Sequence, residues 1–199
     1  MRRLLFPAAL AAAACSASPD PVAENQPAEA APVAIPAPTA SGEIVADAGA
    51  QPALAIDGEG LRLFDVKSGS ARPLAFGAPR RQVLAALAFR GSPETGMLEE
   101  CGAGPLDYAS WGDRLTLYFQ DGKFVGWAAS DRGSGRVSTA SGVGPGSTRA
   151  ELQDAYSAKV FESTLGTEFE AGGLFGILES PQPAAKVTTM WGGTSCNMR

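Results

Sequence analysis

Three cysteines, at positions 15, 101 and 196, and no histidine set the chemistry open to this chain. Histidine is the commonest general base and the commonest metal ligand. Its absence excludes a Ser-His or Cys-His nucleophile pair built from this chain alone. The remaining acid–base candidate is Glu99-Glu100, immediately before Cys101. Adjacent carboxylates on a loop are ordinarily solvated, and a general base also needs a pocket and positioned partners. A cleft lined by Glu99, Glu100 and Trp111 would be needed to give them a catalytic role. Asp107, Asp113 and Asp121 recur at roughly even spacing. They do not make the contiguous Asp/Asn/Gly loop that holds calcium. Gly142-Val143-Gly144-Pro145-Gly146 precedes a helical pattern and has the outline of a phosphate cradle. It lacks the Gly-Lys-Ser/Thr of a P-loop, and Pro145 removes an N–H, so a tight turn into a helix is the better reading. The chain is therefore expected to be no enzyme, with no cofactor and no metal.

The three cysteines divide by context. Arg2 and Arg3 precede an apolar run from Leu4 to Leu10 and then alanines up to Cys15. A basic start, a short apolar run and small residues at a cleavage site describe an export signal over residues 1–14. The run is too short to span a bilayer, which takes about 20 residues. Ala12-Ala13-Ala14 before Cys15 resembles the lipobox of bacterial lipoproteins, with Ala12 where that family favours Leu. The resemblance implies that Cys15 becomes the acylated first residue of the mature chain. Ordinary secretion remains the alternative, because the same alanines satisfy an A-x-A cleavage site. Neither Ser16 nor Ala17 is the aspartate that retains some lipoproteins at the inner membrane. The family rule then implies the outer membrane, on the periplasmic side, with the lipid anchor as the sole membrane contact.

Removing Cys15 from the count leaves Cys101 and Cys196. In an oxidising periplasm the two are expected to form a disulfide. Closing a loop of this size is worth about 4–5 kcal/mol on a chain-entropy estimate. A reactive thiol is the weaker alternative, since Glu99 and Glu100 would oppose a thiolate at Cys101.

Formal charge is −5, from 16 basic and 21 acidic residues. Seven of the acids fall between Ser16 and Leu61, where there is no Lys or Arg. Residues 15–53 also carry repeated prolines among alanines and show no hydrophobic period. They read as a disordered Pro/Ala-rich acidic tether of polyproline character. From Arg62 onward the charges balance, and no basic stripe exists to track a phosphate backbone, so nucleic acid is not an expected partner.

What must position these residues is a domain over 54–199. Its clearest element is a hairpin over 115–127, with Asp121-Gly122 as a type I′ turn between two runs rich in aromatic and β-branched residues. Regular two-residue pairing sets Phe119 against Phe124, Tyr118 against Val125 and Thr116 against Trp127. Leu115, Leu117, Phe119 and Phe124 then face the core. Thr116, Tyr118, Val125 and Trp127 take the other face. With Tyr108 and Trp111 from the preceding loop, Tyr118, Val125 and Trp127 are the candidate protein-binding residues. The competing assignment, core-edge packing, suits Trp111 and Trp127 taken singly.

Strands are expected over 61–66, 73–76, 167–170, 174–179 and 185–191. Helices are expected from Pro79 to Arg90 and from Thr148 to Lys159, with a loop of about twenty residues around Cys101. Gly77 to Leu87 aligns with Gly146 to Tyr156, so halves over 54–130 and 137–199 could be a tandem repeat. Helix-then-strands suggests an α+β fold, a two-layer sandwich of an antiparallel sheet with helices on one face. The tandem Gly-x-x-Arg-x-x-[Val/Leu] helix, hairpin and cysteine-bearing loop resemble the β-lactamase-inhibitor-protein fold and the small outer-membrane-assembly lipoproteins of the BamE type. That resemblance implies protein binding. The expected function is a non-catalytic module of the bacterial envelope that binds another envelope protein. The alternatives are inhibition of a periplasmic enzyme or, from another class, a small-ligand or cell-wall-binding enzyme.

Overall fold

A computed structural model describes residues 51–112, 114–132 and 137–196. The signal segment 1–14, Cys15, the tether up to residue 50 and Asp113 lie outside the described residues. Ala53, assigned to the tether from sequence, already opens a strand.

A three-stranded antiparallel meander comes first: β1 (Ala53–Asp57), β2 (Gly60–Phe64) and β3 (Ala71–Ala75). Its alternation is read directly from Leu61-Arg62-Leu63, where both leucines are buried and Arg62 is exposed. Arg62 pairs with Asp57 across the β1–β2 hairpin. The turn into β3 is organised by Asp65, whose carboxylate accepts the N–H of Lys67 at 3.0 Å and of Ser68 at 2.7 Å.

The rest of the domain is one eight-stranded antiparallel sheet. Its strands are β4 (Glu94–Leu98), β5 (Leu106–Ser110), β6 (Leu115–Gln120), β7 (Lys123–Ser130), β8 (Lys159–Ser163), β9 (Gly166–Ala171), β10 (Leu174–Leu178) and β11 (Val187–Gly193). The spatial order is β4-β5-β6-β7-β11-β10-β9-β8. It consists of two four-stranded meanders joined through their last strands. A short helix precedes each meander, α1 (Arg80–Ala86) and α2 (Arg149–Ala155).

The expected α+β sandwich is therefore overturned: the fold is β-dominated. Each helix has seven residues, and Val83 and Leu152 are the residues they bury. Seven residues span about 10 Å. Eight strands at about 4.8 Å spacing extend over more than 30 Å. Two such helices cannot form a layer. The three-stranded meander supplies most of the cover, because Ile56, Leu61, Leu63 and Leu74 share one apolar cluster with Leu115, Leu117, Phe119, Phe124, Phe169 and Met190. α2 is short but well started: Thr148 Oγ1 accepts from the Glu151 N–H, and the Glu151 carboxylate accepts from the Thr148 N–H at 2.7 Å.

Strands β4, β5 and β8 replace segments expected as loop or helix end. Glu94-Thr95-Gly96-Met97-Leu98 has little β-propensity of its own. It pairs because the Tyr108 ring lies on Gly96, where a Cβ would sit 2.7 Å from the phenol oxygen.

Candidate functional site

The central hairpin turns as expected, with positive φ at Asp121 (51°) and Gly122 (71°). Its register then departs from regular pairing. Phe119 opposes Phe124, but Tyr118 opposes Gly126, Leu117 opposes Trp127 and Thr116 opposes Ala128. Val125 is the extra residue of a β-bulge. One inserted residue moves every later side chain to the opposite face.

Trp127 is thereby carried from the outer face into the core. It is fully buried, and its indole N–H donates to the Asp57 carbonyl at 2.9 Å. The ring lies against Gly192, where a Cβ would come within 2.8 Å of Nε1. Trp111 also belongs to the core cluster. Its indole donates to the Gly91 carbonyl at 3.1 Å, and the Arg90 guanidinium lies over the ring at 5.7 Å. Neither tryptophan can serve as a docking contact.

Tyr108 and Tyr118 do face away from the core, directly opposite each other on β5 and β6. Tyr108 is half-buried, whereas Tyr118 is 9% exposed. Burial pushes the Tyr118 phenol above its ordinary range, and the neighbouring Cys196 and Cys101 push it further. Val125 is half-buried, and its carbonyl accepts the Thr194 N–H at 2.8 Å.

Directly opposed residues share a face, so the outer face can be followed across the sheet. Thr116, Ala128, Trp191, Phe175, Glu170 and Lys159 form one row. Ser130, Thr189, Ile177, Glu168 and Phe161 form the next. Phe175 and Trp191 stack at 6.3 Å with an interplanar angle of 17°. Phe161, Phe175 and Ile177 are half-buried, and Glu168 is buried between Phe161 and Ile177. None of these residues belongs to the cluster that the helices and the small meander cover. This second aromatic group was absent from the sequence-based candidates. Leu174-Phe175-Gly176-Ile177 alternates visibly, but which of its faces is buried depends on pairing with β11.

Glu99 and Glu100 are exposed at the end of β4 remote from Trp111, which follows the strand end paired with Glu94. The carboxylates and the indole therefore line no common cleft. The Gly-rich segment does border a cleft, of about 700 Å³, together with Glu151 and Asp154. Its backbone donors are used internally. Gly142 donates to Thr139, Val143 to Thr139 Oγ1, Gly144 to Ser147 Oγ and Gly146 to Val187. With its N–H groups occupied and two carboxylates on its wall, the cleft does not suit an anion.

Cys101 and Cys196 are brought side by side from distant parts of the chain. They are thiols joined by a hydrogen bond, which together with burial raises the Cys196 pKa. No helix among the described residues is long and apolar enough to cross a membrane. Comparison with protein-family models, with curated proteins and with solved structures found no match to this chain.

Proposed function

We propose that this chain is a lipid-anchored envelope protein whose β domain docks another protein of that compartment. The docking surface is the outer face of the eight-stranded sheet. The anchor rests on the sequence around Cys15, which the proline-rich residues after it separate from the domain along the chain. The observation that supports docking is the half-buried group of Phe161, Phe175 and Ile177, with Trp191 buried beside Phe175, all outside the apolar cluster that the helices and the small meander share. Aromatic anchors dominate binding energy at protein interfaces. Lys159 and Glu170, both exposed, give the group a polar rim. A non-catalytic role fits the lack of histidine and the separation of Glu99 and Glu100 from Trp111.

The test places a photo-crosslinking side chain at Ile177 in one strain and at Arg81, exposed on α1, in another. Ile177 is expected to yield a discrete adduct that Phe175→Glu abolishes, and Arg81 is expected not to. The same pattern at both positions, or none at either, refutes docking on this face. Acyl labelling tests the anchor separately. Cys15→Ser should remove the label, and a labelled Cys15→Ser chain would refute lipidation at that residue.

A further inference from the structure

We propose that Cys101 and Cys196 close as a disulfide that fastens a C-terminal strap, residues 194–196, across the Tyr118 end of the outer sheet face. The inference is independent of whether that face docks a partner. β11 ends at Gly193, whose φ of +65° turns the chain out of the sheet. A Cβ at Gly193 would lie 2.7 Å from the Phe76 ring, so the turn excludes a side chain. The Thr194 N–H then donates to the Val125 carbonyl at 2.8 Å. Thr194 passes directly over Gly126: a Cβ there would stand 1.9 Å from the Thr194 carbonyl oxygen. Gly126 opposes Tyr118 and shares its face, so the strap runs over the outer surface. Two residues on, the Cys196 thiol meets Cys101.

The receiving side is also in place. Cys101 lies between β4 and β5, in a turn closed by the Gly104 N–H on its carbonyl at 2.9 Å. Gln120 of β6 ties that turn to the sheet by donating to the Ala103 carbonyl at 3.2 Å. Tyr118, an outward-facing strand residue, neighbours both cysteines and is only 9% exposed. The bulge at Val125, the bare Gly126 and the turn at Gly193 together let the two sulfurs meet.

Closure requires an oxidant, and a second disulfide is the class that supplies it. One thiolate of the pair attacks a sulfur of that disulfide and expels a thiolate. The other thiolate attacks the resulting mixed disulfide. The Cys101–Cys196 bond forms, and the oxidant leaves as two thiols carrying the two protons.

The experiment takes the full chain from an oxidising compartment and alkylates it under denaturing, non-reducing conditions. The expected result is no label on either cysteine and one cross-linked peptide pair, two hydrogens lighter than its parts. Label on both overturns the disulfide. Hydrogen exchange at the Thr194 N–H, which the Val125 carbonyl accepts, tests the strap in the unaltered protein. It should be slower in the oxidised protein than after reduction, and equal rates overturn the strap. Gly126→Ala should lower the equilibrium constant for closure against glutathione about tenfold, because a methyl group displaces Thr194. Gly102→Ala, where an added Cβ meets nothing within 4 Å, should leave it unchanged. A folded Gly126→Ala protein that closes as readily as the parent also overturns the strap.

Discussion

Trp127→Phe tests the displaced register most directly. Under regular pairing residue 127 lies on the outer face, and trimming an indole to a phenyl ring there changes little. In the structure the indole is fully buried and its N–H holds the Asp57 carbonyl at 2.9 Å. Removing the pyrrole portion leaves a void of about 40 Å³, worth about 1 kcal/mol. Losing the indole bond adds about 0.5–1.5 kcal/mol, because the Asp57 carbonyl keeps its partner Gly60 across the β1–β2 hairpin and, being half-exposed, is reached by water. The expected loss is about 1.5–2.5 kcal/mol, a large share of the roughly 5–15 kcal/mol that holds a domain together. Urea unfolding followed by circular dichroism reads it as a lower midpoint at unchanged slope. A loss under about 0.5 kcal/mol, the range of ordinary surface substitutions, would refute both the bulge and the core assignment.

Gly192→Ala should destabilise by about 1–3 kcal/mol, since its methyl group overlaps the Trp127 ring. Combined with Trp127→Phe, the two losses should fall short of additive in the same urea assay, because they share one contact. Thr148→Ala should cost about 1 kcal/mol by removing the acceptor of the Glu151 N–H, and a thermal or urea midpoint would show it. Tyr118 should ionise above the ordinary tyrosine value of about 10, because burial opposes the phenolate and, while Cys196 and Cys101 are thiols, their ionisation opposes it further. The folded chain then keeps a proton that the unfolded chain releases. Stability is unaffected below the unfolded value and falls as pH rises from there toward the folded value. Phenolate absorbance resolved by Tyr118→Phe would show the late titration, and normal ionisation would contradict the burial of that phenol.

Much of the small meander and of β6, β7, β9, β10 and β11 was legible as local pattern. Leu61-Arg62-Leu63 alternates, Asp121-Gly122 supplies positive φ, and Thr148 with Glu151 caps a helix. Strands β4 and β5 were not legible. Glu94-Thr95-Gly96 becomes a strand through Tyr108, a residue on the partner strand. Helix lengths were overestimated for a related reason: the apolar stripe from Val83 continues into Leu87, which is buried just after α1 ends. Of the candidate surface, Tyr118 was placed on the outer face from alternation, whereas Tyr108, expected in a loop, reaches that face only because β5 pairs with β6. Phe175 and Trp191 emerged only when β10 paired with β11.

The sequence by itself determined where alternation is strong, where the chain turns, which residue types are available for chemistry, and that no histidine takes part. These are properties of single residues and near neighbours. Only the tertiary structure decided that Val125 bulges, that Trp127 therefore enters the core, that the two meanders join through β7 and β11, and that Cys101 meets Cys196. Each depends on strand pairing between segments far apart in the chain. A shift of one residue in that pairing exchanges the faces of a strand while leaving its local pattern unchanged.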